Sequence, residues 1–426
     1  MYTLVVMKLM MIAAPASVAV LVAGLMAAPA AQGPTKALRF SDAGRAALTQ
    51  QMNDAVKRGD TPGVAELVVD RGGILFEGAA GKTDIGKNAA MRTDAIFNIA
   101  SMTKPVTSVA IMMLMEQRRL KLDDPVSMYL EGYDKLQVVT RFNEKDGSYD
   151  TRPAKRPMTI RHLLSHTSGI GYTTWSAIAL RIQETTKKNE WEQPLLSDPG
   201  DVWHYSASTR VLGFIVEKVT NTTLEAWYQD HIFKPLGMVD TSYAVAAGKQ
   251  PRLVTQYRRA DDGKLEELPK SPVASTPTPP FRGDGGLFST IEDYSRFVRM
   301  LLNDGSLGSV KILSPASVKM MGQNQIGSIF VEEQPAAVPT RTRPMPLGAA
   351  KDKFGLGFQI ASNDPAMSKF RSPGSMSWAG LFNTEFWIDP IKHVGGIQMM
   401  QLLPFYDDGA IRTLRGFEET VYRELK

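Results

Sequence analysis

The chain has 426 residues, 43% hydrophobic and 22% charged, which is enough apolar material for a large core and more than one lobe. Its net charge of +5 comes from Lys and Arg scattered among acids, with no basic run or aromatic platform, and this argues against a nucleic-acid partner. Cysteine is absent, which excludes disulfides, Cys-ligated metals, a thiol nucleophile and a lipidated N-terminal Cys, so any nucleophile is an oxygen or nitrogen group.

Residues 1–30 read as an export signal: one early cation, Lys8, then an uncharged apolar stretch from Leu9 to Ala31 containing the small-residue end Ala28-Pro29-Ala30. Cleavage after Ala30 would leave a periplasmic or secreted chain starting near Ala31. The rival expectation is an uncleaved membrane anchor, since the run is about long enough to span a bilayer.

Val64 to Gly81 alternates around Asp70-Arg71-Gly72-Gly73 and predicts a β-hairpin with Leu67, Val69, Ile74 and Phe76 in the core. From Val106, apolar residues recur at 106, 109, 110, 113 and 114, and Ile111, Met112 and Met115 cover the other sides, which predicts a buried helix. Leu120 to Met238 reads as helix and loop, with a polar insert from Arg141 to Pro157 and helices at Val211 to Val219 and at Leu224 to Leu236, the latter stopped by Gly237. Leu268 to Pro280, rich in Pro, Ser and Thr, reads as a linker, and Gln323 to Lys353 as an irregular loop over the surface or the site. Strand patterns return at Gly355 to Ala361, Asn383 to Ile388 and Val394 to Leu402, and an amphipathic helix runs from Gly409 to Leu425. Strands at both ends with helices between them predict an α/β (α+β) fold: one sheet built from both chain ends with an inserted, mainly helical lobe. The sheet lobe would take about 40–115 and 281–426, and the helical lobe about 116–280, all within one domain from 31 to 426.

The sequence has no G-x-S-x-G, H-E-x-x-H or G-x-x-x-x-G-K-[ST] pattern. His162 and His166 stand four apart, but Leu163 takes the place of the zincin Glu, so no metal is expected, and no cofactor either. What remains is Ser101-Met102-Thr103-Lys104 ahead of the buried helix. A Ser with a Lys three residues on places both side chains on one face, and the helix N-terminus favours a developing alkoxide. Pro105 fits a first helical turn. The tetrapeptide alone is weak, because S-x-x-K arises about once or twice by chance in a chain this long.

Its surroundings are more specific. Phe97-Asn98-Ile99-Ala100-Ser101-Met102-Thr103-Lys104 resembles the nucleophile box of class C β-lactamases and of the family VIII carboxylesterases. Leu122-Asp123-Asp124-Pro125-Val126, Thr159 to Gly169, Pro199-Gly200, Tyr205-Ser206-Ala207, Phe233 to Met238, Gly285 to Thr290 and Trp378-Ala379-Gly380 extend that resemblance in order. It implies a β-lactamase/DD-peptidase-like fold, an antiparallel sheet flanked by helices. It also implies that Ser101 attacks a carbonyl, that Lys104 assists, and that Tyr205 shuttles the proton. The backbone N–H groups of Ser101 and Leu381 would form the oxyanion hole. A phenol in that role requires a nearby ammonium to stabilise phenolate.

Two positions depart from the lactamase pattern. Ala207 stands where the second box ends in Asn, and Trp378 where the third begins with Lys, which removes polar recognition of a charged lactam. An aromatic wall at Trp378, with Ala379, Gly380 and Ala207 beside it, suits an acyl or alcohol group. The expectation is a serine hydrolase acting on a small-molecule ester or amide, foremost a carboxylesterase on short-chain esters. A β-lactamase or D-amino-acid peptidase is the alternative, and a non-catalytic binding or sensor relative is the alternative of another class. A membrane enters only if the N-terminal segment stays uncleaved.

Overall fold

The computed structural model describes residues 38–270, 272–362 and 370–426; the expected export signal lies outside them. The chain from Leu38 to Lys426 forms one unit. Its centre is an eight-stranded sheet of β1 (Gly63–Asp70), β2 (Ile74–Asp84), β3 (Ala89–Ala90), β4 (Lys353–Phe354), β5 (Gln359–Ile360), β6 (Met376–Gly380), β7 (Thr384–Asp389) and β8 (Val394–Met399), in the order β4-β5-β6-β7-β8-β1-β2-β3. Every neighbouring pair is antiparallel. The two chain ends meet in the middle, where Ala65 pairs with Met399 and Leu67 with Ile397, as the sequence pattern predicts.

Strand β1 shows why this sheet holds. Successive side chains point to opposite faces, so Ala65, Leu67 and Val69 enter one core and Val64 and Val68 the other. Each fully buried Leu or Val contributes about 1.5–3 kcal/mol, and a strand wet on one face would lose half of these contacts. Asp70 closes the hairpin, its Oδ1 accepting from the N–H groups of Gly72 and Gly73, both at 2.7 Å. Ile74 departs from expectation and is 43% exposed. The register shifts between Val68 and Val69, and this leaves Ile74 at the strand's open start.

On one face lie α1 (Asp42–Lys57), capped by Ser41 Oγ, and the C-terminal helix α5 (Asp408–Glu424), capped by Asp407. Leu48 and Met52 of α1 pack with Leu414, Phe417 and Val421 of α5. The larger core on the other face takes α2 (Thr103–Glu116), α3 (Ser208–Thr220) and α4 (Ile291–Leu302). α2 is buried from Thr103 through Met112. The predicted helix from Leu224 to Leu236 is present but passes through a wider π-helical turn at Gln229–Phe233 and ends at Gly237, whose φ is +71°. The polar insert is more ordered than its composition suggests: Gln137–Phe142 and Tyr149–Pro153 pair as a hairpin, closed by the Asn143 N–H donating to Ser148 O at 2.9 Å. Among the described residues, no helix is long and apolar enough to cross a membrane.

Candidate active site

Ser101 sits in a single 3-10 turn, Ala100–Met102, immediately before α2. The turn is strained at Ala100, which has a Cβ yet adopts φ +43°. Such a conformation costs about 1–3 kcal/mol and persists only where its surroundings enforce it. Asn98 Oδ1 helps by accepting from the Ala100 N–H at 3.0 Å. Gly380 holds the other side, because a Cβ there would lie 2.3 Å from Ile99 O. The end of β6 is thereby pressed against the backbone that presents Ser101.

Lys104, one helical turn on, donates from Nζ to Ser101 Oγ at 3.1 Å and to Asp284 O at 2.8 Å. The side chain is buried, and burial pushes its ammonium down to about 7, helped by Arg282 and Arg210 and opposed by Asp284. Lys104 Nζ lies over the Tyr205 ring, 4.8 Å from its centroid. Tyr205 is buried among Trp175, Trp378, His166 and Tyr172, with ring centroids 4.9 to 5.5 Å away. Burial raises its phenol well above the usual value, and the Ser101 hydroxyl and Trp378 indole beside it offset part of that rise. The electrostatics therefore differ from the sequence-based expectation of an ammonium stabilising phenolate. Burial disfavours both charged forms, and the amine of Lys104 is the group poised to take a proton near neutral pH.

Asp284 completes this centre and was not singled out from the sequence. Its carboxylate accepts from Arg210 Nε at 2.6 Å and from Tyr172 Oη at 3.1 Å, and lies 3.5 Å from Arg282. Burial works against ionised Asp284, yet Lys104, Arg282 and Arg210 hold it below the ordinary carboxylate range. A signal was present in Arg282-Gly283-Asp284-Gly285-Gly286, directly upstream of the stretch that carries the family resemblance.

Ser101 and Tyr205 open into a cavity of about 400 Å³ that Trp378, Ala379, Gly380 and Leu381 also line. Trp378 is buried, and its indole Nε1–H has no acceptor within hydrogen-bond range among the described residues. The irregular segment after Gln323 contributes Met345 to Gly348 and Asp352 to the wall. Ala207, expected in the pocket, is instead the buried residue before α3 and does not line the cavity, because the chain turns inward there to start the helix. His166 bonds through Nδ1 to Ser206 Oγ at 3.0 Å, which continues to Ser208 and Ser168 at 2.6 Å each. His162 Nδ1 accepts from the Thr159 N–H at 3.2 Å and caps a short helix. Among the described residues, no cluster of three or more His, Cys, Asp or Glu side chains is arranged for a metal.

Comparison with known proteins agrees with this architecture. The family model described as Beta-lactamase matches residues 46–419. Protein Rv1367c of Mycobacterium tuberculosis (strain ATCC 25618 / H37Rv) is 33% identical over 362 residues, covering 80% of this chain and 86% of its own. The lovastatin esterase of Penicillium rubens is 27% identical, over 87% of this chain and 96% of its own. Among solved structures, a simvastatin synthase variant from Aspergillus terreus superposes with a TM-score of 0.75 at 26% identity, over 89% of this chain and 95% of that one. A match across nearly the whole described chain, on a sheet built from both termini with Ser101 at the mouth of its buried helix, establishes that the chain belongs to the beta-lactamase family.

Proposed function

We propose that the chain is a serine hydrolase that forms an acyl-enzyme at Ser101 and acts on neutral short-chain carboxylic esters. The observation that carries this reading is the 3.1 Å contact between Ser101 Oγ and a Lys104 amine whose burial brings it to about 7. A buried amine that is substantially neutral at physiological pH is a competent base for a hydroxyl at hydrogen-bond range.

In this mechanism Lys104 takes the Ser101 proton as Oγ attacks the ester carbonyl. The N–H groups of Ser101 and Leu381 receive the developing oxyanion, an interaction that contributes several kcal/mol in acyl transfer. The proton passes to the departing alkoxide through the Tyr205 hydroxyl, which remains a phenol at rest. Water then attacks the acyl-enzyme with the same groups acting in reverse, releasing the acid and restoring Ser101. An alcohol seated in the cavity in place of water would be acylated instead.

The preference for esters rests on the walls. Trp175, Tyr205, Trp378 and Leu381 offer an apolar surface beside Ser101, and on that wall Trp378 stands where the family's lactam-recognising Lys would be. Hydrolysis of p-nitrophenyl butyrate with a stoichiometric burst, and labelling of Ser101 by a fluorophosphonate, are the expected results. Failure of both would overturn the reading in favour of a non-catalytic relative, and nitrocefin turnover above ester turnover would favour a lactamase. Export is part of the same proposal, checked by mass spectrometry of the N-terminus of the protein isolated from its native cells.

A further inference from the structure

The cavity has a second end that ester hydrolysis leaves unexplained. Beyond Ala379 it reaches the space between the sheet and α5, where Glu385, Arg371, Glu418 and Asp352 line it. Ala379 and Glu385 are register partners on β6 and β7, so both side chains emerge on the same face. Arg371 pairs with Glu418, and Asp352 accepts from Gln359 Nε2 at 2.6 Å and from the Ser362 N–H at 2.9 Å. Glu385 is 7% exposed, and its carboxyl receives no hydrogen bond from any described residue. The described wall thus holds three acids against one guanidinium, that of the partly buried Arg371, and at the rim exposed Arg415 and Glu419 cancel. A buried carboxyl that faces a cavity, and whose nearest cation, Arg371, is already paired with Glu418, is costly to ionise, and a cation brought by the ligand would offset that cost.

From this arrangement we infer that the far end of the cavity is a subsite for an ammonium group carried by the substrate, with Glu385 as its acceptor. The inference rests on the proposed ester hydrolysis and names its substrate class: small esters with an amine or quaternary ammonium remote from the scissile carbonyl. The electrostatics agree. Burial pushes the Glu385 carboxyl up to about 8, with Glu418 adding to the rise and Arg371 opposing it. Tyr406, also on the wall, is a neutral phenol. Near neutral pH the raised carboxyl favours its protonated form, and an arriving ammonium favours the ionised one, so binding releases protons to the buffer.

The test pairs butyrylcholine with its neutral isostere 3,3-dimethylbutyl butyrate, and p-nitrophenyl 4-(trimethylammonio)butyrate with p-nitrophenyl 5,5-dimethylhexanoate, so the charge lies on the alcohol or on the acyl side. In at least one pair the charged ester is expected to show a kcat/KM about tenfold higher, and Glu385→Gln is expected to bring that ratio to about one. Equal rates within both pairs would overturn the subsite. A second measurement leaves Glu385 in place: butyrylcholine is titrated into Ser101→Ala protein in two buffers of different ionisation enthalpy at pH 7. Release of close to one proton supports the subsite, and binding without proton release, or no binding, overturns it. Loss of turnover for the neutral esters as well would instead count against the hydrolase reading, which the calorimetric arm does not depend on.

Discussion

The two ends of the cavity are built on opposite plans. At the Ser101 end, Ser101, Lys104 and the strained Ala100 come from five consecutive residues, and Tyr205, Asp284 and β6 are brought against them from elsewhere. At the acidic end, Asp352, Arg371, Glu385 and Glu418 come from four separate segments and meet only because β6 and β7 pair beneath α5. The first end is a local device that a short pattern can announce. The second is a product of topology, and no pattern announces it.

The largest expected effect lies at the first end. Ser101→Ala should lower ester kcat by at least about a thousandfold with the fold intact by circular dichroism, since among the described residues no other hydroxyl bonds to Lys104 Nζ. Lys104→Met should cost about a hundredfold or more, and Lys104→Arg should not restore activity, because a guanidinium does not deprotonate. A Lys104→Arg enzyme with near-native kcat would show that the side chain acts only as a fixed charge.

The pH profile sharpens the same point. Lys104 is lowered to about 7, so the base is protonated below that value and free above it. Accordingly kcat/KM for p-nitrophenyl butyrate should climb about tenfold per unit below pH 7 and level off above it, with no fall until the phenol range. A profile that stays flat between pH 5.5 and 8, measured well below KM, would count against Lys104 as the base.

What was legible in the sequence follows the same division. The hairpin over Val64 to Gly81, the buried helix after Ser101 and the strand over Val394 to Leu402 all depend on periodicity and on turn residues close in sequence, and all are present. Ile74 was misplaced because a one-residue register shift within the hairpin leaves no trace in alternation. Asp284 and Tyr172 were missed because Asp284 meets Arg210 and Tyr172 across 74 and 112 residues of chain, and a lone Asp among glycines reads as a turn. Ala207 was placed in the pocket by analogy with a box position, whereas backbone direction at a helix start decides where a short side chain points.

Trp378 stands between the two ends and tests whether its ring or its N–H matters. Its indole N–H is buried beside the Tyr205 hydroxyl, the group it faces, and its ring packs on Tyr205 at 5.0 Å. Trp378→Phe keeps an aromatic wall and removes the donor. A fall of about three- to tenfold in kcat with KM unchanged would place the N–H at the proton-transfer step, since a single neutral hydrogen bond contributes about 0.5–1.5 kcal/mol. A rise in KM alone would assign Trp378 to the substrate wall.

The smallest effect concerns Glu66, one strand pair further along the row that contains Glu385. Glu385 pairs with Gln398 on β8, and Gln398 with Glu66 on β1, so all three side chains face α1 and α5. Glu66 is fully buried, neither carboxyl oxygen has a hydrogen-bond partner among the described residues, and burial raises its carboxyl well above the usual range, with Gln51 offsetting a little. Unlike Glu385, it lines no part of the cavity. A carboxyl raised by folding is most compatible with the native state below its unfolded value, near about 4.3, and costs progressively more stability as pH climbs. Glu66→Gln should therefore raise Tm by about 1–2 °C at pH 8, corresponding to about 1 kcal/mol, and by less at pH 5. Ester kinetics should not change, because the substitution removes a cost that no ligand offsets. Were Glu66→Gln to alter the ratio between charged and neutral esters, the acidic row would be acting as one electrostatic unit from the cavity to the sheet centre, and the boundary drawn at Glu385 would have to move to β1.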